Sequence, residues 1–461
     1  MISEGRQSPI PGLIRAVLSL LGSVDWLLLA ATGFLLYVGL LTLSHTGAGA
    51  NTEFHDKQAE FLYAGTVAAI IFWRIPYRFW TNKYVLPVLY IINLGLLLAV
   101  MVAGHSALGA QRWLSLGPIK LQPSEIAKLV VIFTMASWLA WRPIKTFWDN
   151  FLCIAIIAVP AILVFKQPDL GTSLVFAAVF LGMTFWSGAT VCDLLVLGSP
   201  LITLILNAVD KPLLAWIYKG VPMGTELSMT TSTPYDGYIW LGFLAFLGAF
   251  LALFWRRRQF NIFLRLFLIS CILAVNFVAA EARPKLWNVL KPYQQKRLTS
   301  FVNPYSDPRG SGYHILQSLI AIGSGGVNGT GLGKGNQTQG AFIPERHTDF
   351  IFAVVGEELG FKTCILVILA YFMICIRAII IAFQSRDEPV GSLMAIGIMC
   401  MFMFHAFLNM GMTMGIMPVA GVPLPFLSYG GTALIIDLVA IGLLLSVRTI
   451  NPKPKEKDNW W

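Results

Sequence analysis

Charge is what this chain has least of. Only 12% of its 461 residues are charged, 56% are hydrophobic and mean hydropathy is +0.71, whereas a soluble domain carries about 25% charged residues. That shortage excludes an ordinary soluble globular domain. The ten-residue alternation of a membrane β-barrel is missing too. The six cysteines, Cys153, Cys192, Cys271, Cys364, Cys375 and Cys400, all fall in or beside apolar runs, so neither a disulfide framework nor a zinc site is expected. No small-residue cleavage site follows LIRAVLSLLGSV, and residues 1–24 read as a cytoplasmic segment with an interfacial helix rather than a signal peptide. The two halves show no inverted repeat, which weakens a typical secondary transporter.

Apolar runs are abundant instead. Runs near the roughly 20 residues that a spanning helix needs occur at about 25–44, 60–76, 84–104, 123–141, 149–165, 170–187, 191–209, 239–255, 261–281, 349–382, 391–415 and 426–448. Backbone groups in lipid must pair within their own segment, so the expected fold is an all-α polytopic membrane protein of about twelve helices. The net charge of +10 reads as a cytoplasmic bias of Lys and Arg, with no nucleic-acid partner implied. A cytoplasmic N-terminus places RIPYRFWTNK (74–83), RPIKTFWD (142–149), WRRRQ (255–259), Arg377, Arg386 and the tail 449–461 inside, as the positive-inside rule requires. Residues 191–260 behave as an inserted pair of helices, because removing them leaves the alternation intact. They separate N-terminal spans (25–190) from C-terminal spans (261–448).

The long polar stretch 283–348 then lies outside. Asp307 sits in NPYSDPRGSGYH, fixed by a proline on each side and flanked by turn glycines. It suits a general base at a membrane surface, although an Asp-Pro turn explains the local sequence as readily. Lys291, Gln294, Gln295, Lys296, Arg297 and Arg309 surround it and suit an anionic head group, or plain solvated surface. The glycine-rich segment 323–335 is not a Walker A loop, since Asn328 and Gly335 stand where that motif needs Gly and Ser or Thr. A re-entrant or substrate-lining loop fits better. PERHTDFIF crowds Glu345, Arg346, His347, Thr348 and Asp349 at a helix start, as capping also would.

Glu357 and Glu358 follow, and intramembrane acids are costly enough to mark a functional or buried polar site. QPSEIAK sets Glu125 and Lys128 three apart on one helical face, where a structural pair is the plain alternative. GAQRW carries Arg112, QPDLGTS carries Asp169 at a helix mouth, and PFLSYGG carries Ser428, where close helix packing is an equal explanation. Arg112, Glu125, Asp169, Arg297, Asp307, His347 and Ser428 are expected at or near the outer leaflet. Together they imply an outward-facing cavity for an amphipathic anion such as a polyprenyl phosphate lipid.

GAQRW, QPSEIAK, QPDLGTS, YQQKR, NPYSDPRGSGYH, PERHTDFIFAVVGEELG and PFLSYGG, in this order, resemble the SEDS family (shape, elongation, division and sporulation), which includes RodA and FtsW. QRWLSLGPIKLQPSE and ERHTDFIF are similar to the RodA branch. The resemblance implies a SEDS-type helical bundle in the bacterial cytoplasmic membrane, with a long extracytoplasmic loop and cytoplasmic termini. The family usually has ten spans, and 191–260 is the departure. The implied activity is a peptidoglycan glycosyltransferase that polymerises lipid II during cell elongation and releases undecaprenyl pyrophosphate.

By the resemblance Asp307 is the general base, and Arg112, Lys128, Arg297 or a divalent cation (Mg or Mn) would offset leaving-group charge. Glu125 and Lys128 shape the cavity. Asp169, Gln294, Glu345, His347, Thr348, Asp349 and Ser428 are expected to bind substrate. A class B penicillin-binding protein and the elongation machinery are the implied partners. A lipid II flippase is the alternative, which requires polar residues along the full depth and an inner gate; a non-catalytic scaffold ranks below it.

Overall fold

The computed structural model describes residues 24–45, 53–107, 110–116, 119–167, 169–200, 202–203, 244–248, 262–281, 295, 297, 300–301, 304–306, 308, 310 and 312–450. Among them the helices are α1 (Trp26–Leu43), α2 (Glu53–Arg74), α3 (Tyr77–Trp80), α4 (Val85–Ala103), α5 (Pro123–Trp141), α6 (Asp149–Lys166), α7 (Leu170–Trp186), α8 (Val191–Pro200), α9 (Ile262–Glu281), α10 (Tyr313–Ser324), α11 (Asn336–Gln339), α12 (Ile351–Glu358), α13 (Gly360–Gln384), α14 (Pro389–Thr413) and α15 (Gly431–Ile450). Seven of the described helices are long and apolar enough to cross a membrane. The protein is a multi-pass helical bundle, and the spans expected from hydropathy at 25–44, 84–104, 123–141, 149–165 and 391–415 coincide with helices to within a few residues.

Local chemistry sets the helix starts. Asp25 and Asp169 cap α1 and α7 by accepting the N–H of Leu28 and Thr172, which satisfies donors that a helix N-terminus leaves open. Pro123 and Pro389 open α5 and α14, where the missing proline N–H costs nothing.

Burial then sorts the spans. About two thirds or more of α5, α14 and α15 is buried, against 22% of α4, so the first three form the centre and α4 lies at the rim. α14 packs on α5, α7, α13 and α15, and α15 lies along α2. Gly442 permits that last contact, since a Cβ there would meet the Ala69 carbonyl oxygen at 2.3 Å. Small residues are how helices in lipid approach closely. The rim exposes Ile91, Val102, Ile162 and Phe372, side chains that lipid tails solvate as well as protein does.

Two departures from the sequence reading stand out. The run 349–382, expected as one span, is broken: α12 ends at Glu358 and α13 starts at Gly360. Gly360 has φ +78°, and a Cβ on it would lie 2.2 Å from the Gly329 nitrogen, so only glycine fits. The second departure is a small antiparallel sheet in the otherwise helical chain, β1 (His105–Ala107), β2 (Ala110–Leu116) and β3 (Ile119–Leu121), in the order β1-β2-β3. It lifts Arg112 over the bundle end between α4 and α5.

At the opposite end Asp25, 1% exposed, joins three helices. Arg377 of α13 donates to both its oxygens at 2.7–3.0 Å, and Arg448 of α15 pairs with it as well. Arg78 and Glu388 pair at 2.6 Å at this end too. Most of 191–260 lies outside the described residues. Its described parts dock on α9: Asn276 Nδ2 donates to the Ser199 hydroxyl at 2.8 Å and Asn276 Oδ1 accepts from the Thr203 hydroxyl at 2.6 Å, beside a small apolar cluster of Cys192, Val196 and Leu247.

Candidate active site

Several separate stretches meet at the end of the bundle away from Asp25. Asp169, 2% exposed, anchors one side. Besides capping α7 it accepts from the Thr172 hydroxyl at 3.0 Å and from Ser124 and Gln122 at 3.4 Å each, and Arg112 Nη1 approaches it at 3.9 Å. Arg112 from β2, α5 and α7 are thereby fastened together.

Opposite stands the segment Glu345–Asp349. Glu345 Oε2 lies 3.2 Å from the Thr348 hydroxyl, which donates to it, and 3.8 Å from His347 Nε2. His347 stacks on Phe54 with centroids 4.3 Å apart, and Tyr429 meets the same ring edge-on at 5.0 Å. Burial holds the His347 imidazole below its usual range, with Glu345 pulling the other way, so this ring stacks as a neutral group near pH 7.

Asp349 completes that side. Asn409 of α14 donates to the Asp349 carbonyl at 2.9 Å and to the Val422 carbonyl at 2.7 Å, holding two loops with one amide. The Asp349 carboxylate and the Arg297 guanidinium both crowd Gly421, each 3.2–3.3 Å from where a Cβ would stand. Arg297 also donates to the Val419 carbonyl at 3.4 Å. Burial pushes the Asp349 carboxyl up to about 6; Arg297 and Arg112 pull it down, while Glu345 and Asp169 push it further up. Arg112, Asp169, Arg297, Glu345 and Asp349 thus share one electrostatic neighbourhood.

Ser428 and Lys128 sit differently from what their motifs suggest. The Ser428 hydroxyl donates to the Thr348 carbonyl at 2.6 Å and accepts from Leu424 N–H at 2.8 Å. With the residue 5% exposed, it ties PFLSYGG to RHTD rather than facing a ligand. Lys128 is 1% exposed; it donates to Glu125 at 2.7 Å and to His405 Nε2 at 3.1 Å. An ammonium has no acceptor, so His405 must carry its proton on Nδ1, which faces the Pro423 carbonyl at 3.5 Å. Buried Asp437 lies within electrostatic reach of the pair. Lys128 is therefore sealed among these partners and offers no surface to a pyrophosphate.

The two acids of α12 also have structural partners, Glu358 accepting from Gln339 at 3.5 Å. Glu357, fully buried, accepts from Gln337 N–H, Thr338 N–H and the Thr338 hydroxyl at 2.6–2.9 Å, capping α11. The carbonyls of Glu357 and Glu358 accept from Thr330 and Gly331, so the glycine-rich segment wraps the α12–α13 break instead of hanging free.

Asp307 and Gln294 lie outside the described residues, as do Lys291, Lys296 and Arg309. Among the described residues no three of His, Cys, Asp and Glu converge as metal ligands. Of the described carboxylates here, Asp169 faces Arg112 and Asp349 stands beside Arg297, and this pair by itself does not suit a divalent ion. The motifs did not point to Asn409, His405, Gln58 or Phe54. A signal existed for two of them: HAFLN (405–409) sets His405 and Asn409 one helical turn apart in an apolar run, an expensive placement in lipid. Gln58 donates to the Ser428 carbonyl at 3.0 Å and accepts from Gly430 N–H at 3.2 Å, a contact between residues 370 positions apart that no local pattern reveals.

Comparison with known proteins shows the family. The chain is 33% identical over 425 residues to the peptidoglycan glycosyltransferase MrdB of Escherichia coli, covering 92% of each. It is 32% identical over 449 residues to the peptidoglycan glycosyltransferase RodA of Treponema pallidum, covering 92% of this chain and 97% of that one. A chain from the solved structure of a peptidoglycan synthase complex, described as coordinating polymerization and crosslinking, superposes with TM-score 0.64 at 25% identity, covering 93% of this chain and 98% of its own. The crystal structure of RodA from Thermus thermophilus shares the fold, with TM-score 0.57 at 23% identity over 93% and 98% of the two chains. Residues 20–217 and 240–453 match the family of cell cycle proteins that comprises FtsW, RodA and SpoVE, and the chain belongs to that family.

Proposed function

We propose that this cavity polymerises lipid II. The chain is a peptidoglycan glycosyltransferase, as its relatives are named. The observation that carries the reading is the convergence of Arg112, Asp169, Arg297 and Asp349, from four separate segments, at one end of an apolar bundle. Such a site offers cations to a pyrophosphate and apolar walls to its polyprenyl chain.

In the reaction, the 4-hydroxyl of an acceptor sugar attacks C1 of the donor. The C1–oxygen bond to undecaprenyl pyrophosphate breaks and the configuration inverts. Asp307 takes the acceptor proton, and Arg112 and Arg297 offset the charge that develops on the leaving pyrophosphate. Asp169 and Asp349 orient those arginines. Lys128 acts one layer below by holding Glu125. The cavity end faces outside and the Asp25 end the cytoplasm, with lipid II taken from the outer leaflet. A class B penicillin-binding protein is the partner that crosslinks the product, in the elongation machinery, and residues 191–260 form an inserted helix pair.

A flippase would need a polar path through the whole bundle. Below the cavity, Glu125, Lys128 and His405 are each no more than 2% exposed and pair with one another, which favours the enzyme. The test is polymerisation of purified lipid II by reconstituted protein with its partner. Wild type is expected to make glycan and Asp307→Asn none while still binding the partner. Transport of labelled lipid II across vesicles without any polymer would replace this reading with the flippase.

A further inference from the structure

At the Asp25 end, a cleft opens where α5 and α7 finish and the α13–α14 corner turns. Its volume is about 630 Å³, within the range of small-ligand sites. Arg386, Trp186, Ser187, Phe185, Ala140 and Pro143 line it. The walls are mainly apolar, with two serines, and Arg386 supplies the cation.

That guanidinium is held in place. It lies 4.3 Å above the Phe383 ring and 5.9 Å from the Trp186 ring, and these two rings meet edge-on at 4.8 Å. Stacking orients a guanidinium by its face and leaves the N–H edge for an anion. The nearby charges are committed elsewhere: Glu388 pairs with Arg78 at 2.6 Å and Arg142 with Asp149 at 3.2 Å. The adjacent Asp387 makes no ion pair with Arg386 among the described residues. Trp186 Nε1 donates to Ser392 at 2.9 Å, so the indole serves as wall rather than donor. Ser187 accepts Ile144 N–H at 3.4 Å and keeps its own hydroxyl proton to give.

The surroundings select the occupant. Phe185 on the wall and Phe383 beneath Arg386 are 52% and 46% exposed, and exposed aromatic side chains at the ends of spanning helices are typical of a membrane–water interface. A soluble phosphate gains nothing from such walls, whereas a phospholipid places its phosphate on the guanidinium and its chains along them. Basic pockets between spanning helices are used this way. We infer that this cleft binds an anionic phospholipid of the adjoining leaflet, its phosphate on Arg386 and Ser187 and its acyl chains against Phe185 and Phe383. The site is remote from the cavity and independent of which leaflet adjoins it.

Native mass spectrometry of the purified chain, titrated with phosphatidylglycerol and with phosphatidylcholine, tests this. Wild type is expected to prefer phosphatidylglycerol about fivefold, the preference one interfacial arginine supplies. Arg386→Gln should abolish the preference. Ala140→Trp, which keeps the arginine and fills the cleft, should do the same and serves if the first variant does not fold. Equal retention of both lipids by wild type, or an unchanged preference in a folded variant, overturns the proposal. Displacement of phosphatidylglycerol by soluble glycerol phosphate at equal concentration would also overturn it, since the occupant would then be a free phosphate.

Discussion

At the residue scale, Asp349 carries the most information. Its carboxyl is pushed from 3.8 to about 6 chiefly by burial, so the folded protein holds this proton more tightly than the unfolded chain does. Stability from this group is therefore complete below about pH 4, declines as pH rises through 4–6, and stays low above. Asp349→Asn removes the dependence. The variant is expected to unfold at a higher temperature than wild type near pH 7.5, with the gain vanishing towards about pH 4. Thermal unfolding in detergent at the two pH values measures it, and an equal gain at both would refute burial as the cause.

At the element scale, the buried Glu125–Lys128–His405 chain ties α5 to α14, and its energetics differ from those of a surface pair. Removing one partner strands a charge inside the bundle, which costs about 3–5 kcal/mol, whereas apolar replacement of both is often neutral. Lys128→Ala should therefore lower the unfolding temperature more than the double change Glu125→Leu with Lys128→Met. If the double variant is the less stable, the pair is a net source of stability. The break at Gly360 belongs to this scale as well. Hydropathy shows one long run at 349–382, because α12 and α13 are both apolar. What divides them is contact with a distant segment: the Gly326 and Val327 carbonyls accept Phe361 and Lys362 N–H, and a local pattern holds no record of that.

Over the whole molecule, the two ends differ in kind. One carries the Asp25 clamp, the Arg78–Glu388 pair and exposed Lys145; the other carries the mixed charges of the cavity. The proposed orientation makes Lys145 cytoplasmic and exposed Lys334 external. Single-cysteine labelling in intact cells, in a background without the native cysteines, should modify Lys334→Cys and leave Lys145→Cys unmodified until the membrane is permeabilised. The reverse pattern would invert the topology and move the cavity to the wrong side for lipid II polymerisation.

The sequence by itself determined the class of molecule, most of its spanning helices and the polar residues that stand out within them. Apolar runs in lipid have one backbone solution, the helix, and polar residues there are costly enough to stand out, so Arg112, Glu125, Asp169 and Asp349 were visible without coordinates. Tertiary structure alone decided what each polar group does. Lys128 and Ser428 carry the same chemistry whether they face a ligand or a neighbour. Only packing shows that Glu125 and His405 have sealed the ammonium in, and that Thr348 has taken the hydroxyl. Asn409 and Gln58 were decided there as well, since a side-chain amide acquires its role from whichever carbonyls the folded chain brings within reach.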